Sequence, residues 1–143
     1  MNTRTRRRKR NASGVILVEA VLVMPILLML TLGAIEYGWL FLNEQQVVNA
    51  ARQGARIAIL PYANAETDAR TNINQSLTAA GLSDDSPAVT ITKVAIAGDP
   101  DGRMGEKVVI TVPTSHLLIV NAPKLFPTPT AIHATVTMAR EGP

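Results

Sequence analysis

The sequence contains no cysteine, which excludes disulfide bonds, thiolate metal sites and a lipid-modified cysteine. A small domain outside the cytoplasm would therefore be held together by packing or by its neighbours, without covalent cross-links. Aromatic residues make up only 3% of the chain, so few side chains are present that could stack on the bases of a nucleic acid. Acidic residues are absent from residues 1–14, where six basic residues lie: Arg4, Arg6, Arg7, Arg8, Lys9 and Arg10.

The basic excess is confined to this N-terminal segment. Residues 15–143 carry eight basic and eleven acidic side chains, which gives them a net charge of −3, whereas the whole chain has a net charge of +3. A basic run of this kind can bind nucleic acid, direct a protein to a nucleus or hold the cytoplasmic end of a membrane helix. The residues that follow it favour the membrane and disfavour nucleic acid as a partner.

A long apolar run follows the basic segment. Residues 15–35 read VILVEAVLVMPILLMLTLGAI, and Glu19 is their only charged side chain. About twenty such residues are enough for a helix to cross the hydrocarbon core of a bilayer. Basic residues directly before a first span favour an N-terminus in the cytoplasm. The sequence therefore predicts a single-pass membrane protein whose C-terminal part lies outside the cytoplasm.

The chain is predicted to have three parts. Residues 1–14 form a basic cytoplasmic leader, residues 15–60 form one long helix that spans the membrane in its first part, and residues 61–143 form a small extracytoplasmic domain. Helical spacing of apolar residues continues without a break until Pro61. A second, shorter helix follows, in which the apolar stripe contains Ala69, Ile73, Leu77 and Ala80 and Gly81 lies just past the end.

The period of the pattern changes to two after the second helix. Residues 88–97 and 106–114 are rich in β-branched residues and flank the turn-forming loop of residues 98–105, and residues 131–139 alternate between apolar and polar. Residues 116–130 contain three prolines, so a short helix or an irregular segment is expected there. The predicted fold class is α+β: a long N-terminal transmembrane helix, then a short helix packed on a small antiparallel sheet of about three strands.

A carboxylate inside a membrane span usually marks function, because its insertion costs a few kcal/mol. Glu19 alone could also be protonated or reach the membrane surface. Its position, however, resembles the processing signature of type IV prepilins, in which a basic leader ends in glycine and the mature chain has glutamate as its fifth residue. Cleavage between Gly14 and Val15 would make Glu19 that fifth residue.

The similarity is closest to TadE-like proteins, the minor pseudopilins of the tight-adherence pilus. The proline and the Glu-aromatic-Gly exit of that family have counterparts in Pro25, Glu36, Tyr37 and Gly38, and AARQGAR of residues 50–56 also fits. The strong resemblance covers about residues 13–56. Many members have an aromatic residue directly after the first glutamate, whereas this chain has Ala20.

The resemblance implies a structural or assembly component of a pilus in the bacterial inner membrane, with no enzymatic activity and no cofactor. The implied partners are other pilin and pseudopilin subunits, a prepilin peptidase and the inner-membrane assembly platform. Gly14, Val15 and Glu19 are the expected processing residues, and Glu19, Pro25 and Glu36 the expected subunit-packing residues. Pro25 could be a dedicated joint or an incidental kink, and Glu36 could instead reach lipid headgroups.

Rival classes and sites are weaker. Asp99, Asp101 and Gly102 match the start of a calcium loop, but Arg103 occupies the next ligand position. His116 and His133 fit no catalytic triad or metal spacing. The main alternative is an uncleaved, signal-anchored membrane protein with a periplasmic interaction module. An exported soluble protein is disfavoured, because no clean signal-peptidase site follows the long apolar run.

Overall fold

The computed structural model describes residues 12–84, 86–96, 103–115, 117–119 and 127–140. The chain divides into two compact units, Met1–Ile35 and Glu36–Pro143. Two helices, α1 (Ala12–Ala58) and α2 (Ala65–Ala79), are followed by three strands, β1 (Ala88–Ala95), β2 (Met104–Pro113) and β3 (Ala131–Ala139). The predicted α+β class, with a long N-terminal helix, a shorter helix and a three-stranded antiparallel sheet, is confirmed.

Helix α1 ends two residues earlier than Leu60, where the sequence predicts its end. The amide of Leu60 donates to the carbonyl of Ile57 at 3.1 Å, three residues back, so the last turn is tighter than an α-helix. Pro61 explains this ending, because a proline disfavours helical backbone in the residue before it.

Helix α2 ends just before Gly81, as its sequence predicts. Its first turn holds Glu66 and Asp68, whose negative charges suit the positive end of the helix dipole. Gly81 follows the helix with a φ of 74°, a left-handed conformation that glycine adopts without a steric cost. The amide of Leu82 then donates to the carbonyl of Leu77 at 2.8 Å, which closes the helix end.

The sheet has the order β1-β2-β3, with both pairs antiparallel. Its inner face follows the period-two pattern: Ile132 and Ala134 are buried on β3, while His133, Thr135 and Thr137 are exposed on the other face. In the register, Ile110 of β2 lies between Val89 of β1 and Ala134 of β3. The central strand therefore supplies the middle of the core.

One hydrophobic core joins the second part of α1, helix α2 and the inner face of the sheet. Helix α1 contributes mainly small residues, so α2 can approach it closely: a Cβ at Gly54 would lie 2.3 Å from Cδ1 of Ile73. This close approach explains why the AARQGAR segment has small residues at regular intervals. The buried core residues of α1, α2 and the sheet include Val47, Ala50, Ala51, Ala55, Ala58, Ala69, Ile73, Leu77, Ile91, Val108, Ile110, Val112, Ile132 and Ala134.

The remaining predicted segments lie partly outside the described residues. The leader lies outside them up to residue 11, as do residues 98–102 of the candidate calcium loop. Of the proline-rich segment 116–130, residues 117–119 and 127–130 are described. The amide of Thr114 donates to the carbonyl of Thr130 at 3.1 Å, and its hydroxyl donates to the carbonyl of Pro129, so the two ends of this β2–β3 connection are held together.

Candidate assembly site

The first part of α1 has an apolar surface that the rest of its own unit does not cover. Every residue from 14 to 32 is exposed, including Val15, Leu22 and Leu30, each about two-thirds accessible. By length and composition α1 can cross a membrane, since its most apolar window has a mean hydropathy of 2.7. This one N-terminal apolar helix is typical of a single-pass membrane anchor.

Glu19 lies within this apolar surface and is exposed. No hydrogen bond or ion pair with another described residue satisfies its carboxylate. In an apolar environment an isolated carboxylate is costly, and it is retained when it is protonated or when a partner supplies a positive charge. A contact between Glu19 and a second molecule therefore stays a prediction.

Gly14 lies in the first turns of α1, with open space around its Cα: a Cβ built there has no neighbour within 4 Å. Packing in the folded chain therefore does not require a glycine at this position. Val15, the next residue, is also exposed. A requirement for glycine would have to come from another molecule that approaches the backbone closely.

Pro25 lies inside α1, and the helix continues through it. Because proline has no backbone N–H, the carbonyl of Val21 loses its partner in the helical ladder. Two turns later the hydroxyl of Thr31 donates to the carbonyl of Leu27 at 2.8 Å. The roles of Gly14, Val15, Glu19 and Pro25 in processing and packing stay predictions.

Glu36 differs from Glu19, although both lie on α1. Its side chain is only 2% exposed, and its Oε1 accepts a hydrogen bond from the backbone amide of Ile119 at 3.1 Å. The headgroup interpretation of this residue is thus disfavoured, because the carboxylate contacts its own chain. A role of Glu36 in subunit packing stays a prediction. Because Glu36 is buried, it would affect packing indirectly, by stabilising the fold of the protomer.

Tyr37 makes a neighbouring contact that the sequence analysis missed. Its hydroxyl donates to the carbonyl of Pro127 at 2.6 Å. Together with Glu36 and Ile119, this contact fastens both described parts of the β2–β3 connection to α1. We call these two contacts, Glu36–Ile119 and Tyr37–Pro127, the clasp. The only sign of the clasp in the sequence is that Glu36 and Tyr37 are neighbours. Their partners lie 83 and 90 positions away, so no local pattern predicts these contacts.

The other polar candidates do not form a metal centre among the described residues. No group of three or more His, Asp or Glu side chains that could hold a metal ion occurs in that part of the chain. The ring Nδ1 of His133 lies 3.1 Å from the hydroxyl of Thr111 on the exposed sheet face, which is an ordinary cross-strand pair.

A family model matches part of the chain. No curated protein and no solved structure matches the chain at a significant level. The matched segment begins at Gly14, contains Glu19, Pro25 and both α1 residues of the clasp, and ends in the small-residue segment that packs against α2. The resemblance seen in the sequence is confirmed: residues 14–56 match the family model of TadE-like proteins, which associates the chain with the tight-adherence pilus.

Proposed function

We propose that the chain is a minor pseudopilin of a tight-adherence pilus, cut by a prepilin peptidase between Gly14 and Val15. The observation that carries this proposal is the family match over residues 14–56, whose first residue is the glycine at the expected cleavage site. The exposed apolar surface of residues 14–32 supports it, because such a surface suits lipid before assembly and neighbouring helices afterwards.

Glu19 sets the register between subunits in this proposal. Cleavage exposes the α-amine of Val15, a positive charge at the edge of the membrane. When subunits are offset along a filament axis, Glu19 of one chain lies next to the amine of another. Each charge then offsets the cost of placing the other in an apolar environment. Such buried pairs add little stability but specify alignment, as polar core residues do in coiled coils.

The partners are other pilin and pseudopilin subunits, the peptidase and the assembly platform of the bacterial inner membrane. The N-terminus faces the cytoplasm, and the unit Glu36–Pro143 lies on the other side. Six basic residues before the apolar run support this orientation. A reporter that is active only in the cytoplasm, fused after Pro143, should therefore be silent, and an active fusion would contradict the orientation.

The mature N-terminus tests the proposal. N-terminal sequencing of protein extracted from membranes of piliated cells should begin at Val15. Gly14→Leu adds a side chain where the folded chain has open space. Cleavage should be lost in this variant, while α1 and the unit Glu36–Pro143 stay intact. An intact basic leader in piliated cells would contradict the proposal and favour the uncleaved anchor with a periplasmic interaction module.

A further inference from the structure

A polar cavity of about 350 Å³ lies at one end of the helix and sheet layers, within the unit Glu36–Pro143. The end of α1, the following turn, the start of α2 and the adjoining ends of β1, β2 and β3 line it. Five lining residues are apolar, and they can pack against an alkyl chain. The polar ones are Tyr62, Glu66, Lys93, Glu106 and Arg140.

Glu106 is the unusual member of this lining. It lies on β2 in phase with the core residues Val108 and Ile110, and it is only 7% exposed. No other described residue forms a hydrogen bond or ion pair with its carboxylate. Burying a carboxylate without a partner is unfavourable, so buried charges are normally paired.

The other charged lining groups differ from Glu106. Glu66 is paired with Arg70 at 3.0 Å. Lys93 lies directly opposite Glu106 in the β1–β2 register, and Lys93 and Arg140 are both exposed to solvent. Water therefore screens the two cations, whereas the Glu106 side chain is largely buried and borders the cavity without a charge partner among the described residues. Glu106 is therefore the group in this cavity that lacks a partner. A positively charged group with hydrogen-bond donors would satisfy it.

We propose that this cavity binds an organic cation, an ammonium or guanidinium group on an alkyl stem, with Glu106 as its counter-ion. The cationic head donates to the buried carboxylate, and the apolar residues at the end of α1 and in the following turn cover the methylene groups of the stem. A lysine or arginine side chain of a partner protein carries this chemistry, and so does a free diamine. The site does not depend on the proposed pilus role, so either can fail alone.

Nuclear magnetic resonance of the full-length protein in detergent micelles tests the proposal. Blocked arginine amide should shift the amide signals of Lys93 and Glu106 on titration, and its uncharged analogue, blocked citrulline amide, should not. Loss of a charge-assisted hydrogen bond in Glu106→Gln should weaken binding about tenfold or more. Lys93→Gln should strengthen it, because a competing resident cation is removed.

Blocked lysine amide and 1,5-diaminopentane distinguish the two sources. Tighter binding of the blocked amino acids favours a partner's side chain, and tighter binding of the diamine favours a free amine; both results support the cation site. Glu44→Gln removes an exposed carboxylate elsewhere and should bind like the parent. The proposal would be overturned if Glu106→Gln left binding unchanged or strengthened it, or if Lys93→Gln weakened it. Binding of blocked glutamate in place of arginine, or no shift in a folded parent, would also overturn it.

Discussion

The two parts of α1 belong to one continuous helix but have different surfaces. From Gly14 to Leu32 all its residues are exposed and nearly all are apolar, whereas after Glu36 a stripe of small residues is buried against the rest of the unit. The two carboxylates differ in the same way, since Glu19 lacks a described partner and Glu36 accepts the amide of Ile119. One part of the helix is therefore buried within the protomer, and the other leaves its apolar side chains exposed.

The largest expected difference between the two parts is in the effect of leucine truncation. Leu77, which α2 packs into the core, is 1% exposed, whereas Leu22 is 67% exposed. Leu77→Ala should lower the free energy of unfolding of the unit Glu36–Pro143 by about 2–5 kcal/mol, because it leaves a cavity. Leu22→Ala should leave it unchanged. Urea unfolding in detergent, followed by fluorescence of the single tryptophan, measures both; equal effects would contradict the distinction.

The same glycine-to-alanine substitution at two positions of α1 should have different effects on stability. A Cβ at Gly54 would lie 2.3 Å from the fully buried Ile73, whereas a Cβ at Gly38 has no neighbour within 4 Å. Gly54→Ala should destabilise the unit, because overpacking costs about 1–3 kcal/mol and helix propensity returns only about 1 kcal/mol. Gly38→Ala should leave the free energy of unfolding unchanged or raise it by up to about 1 kcal/mol, the gain in helix propensity. The same unfolding assay would disprove the close helix contact if both variants gained stability.

The clasp predicts a smaller effect. Tyr37→Phe removes the hydroxyl that donates to the carbonyl of Pro127, at an expected cost of about 0.5–1.5 kcal/mol in unfolding free energy. Hydrogen exchange should also become faster at the amide of Ile119, because the β2–β3 connection is held at one point fewer. Unchanged exchange at Ile119 would show that the two contacts of the clasp act independently.

The smallest expected effect is a pH dependence at the turn after α1. The hydroxyl of Tyr62 donates to Oδ2 of Asp68 at 2.9 Å, and this hydrogen bond, with smaller effects of desolvation and of the Asp68 charge, raises the pKa of Tyr62 above 10.0. Because the folded pKa is raised, the stabilisation is present below the unfolded pKa and is lost as the pH rises through the folded pKa. Thermal unfolding of the parent and Tyr62→Phe, from roughly pH 8 to pH 12, should therefore converge at high pH. A constant difference in Tm would contradict this assignment.

Much of the fold could be predicted from the sequence because its signals are local. The period-two alternation of residues 131–139 gave the inner face of β3, and Gly81 gave the end of α2. Helix α1 ends at Ala58, two residues before the predicted Leu60, because Pro61 disfavours helical backbone in the residue before it.

The candidate sites were less predictable. The clasp joins Glu36 and Tyr37 to residues 83 and 90 positions away, and no local pattern encodes such a distance. Glu106 had a usable signal, since it is in phase with Val108 and Ile110 on a strand with one buried face. Glu19 was found from its position in an apolar run, but no described residue pairs with it, and its proposed partner on another subunit stays a prediction.

Glu19→Gln tests most directly the claim that the first part of α1 is completed by another subunit. The variant keeps the size of the side chain, removes its charge and should insert into the membrane at least as well as the parent. Pili counted by electron microscopy, beside the amount of the protein in membranes, should be few or absent at normal protein levels. Glu44→Gln, which neutralises an exposed carboxylate on the second part of α1, should assemble like the parent. Normal piliation of Glu19→Gln at normal protein levels would contradict the claim.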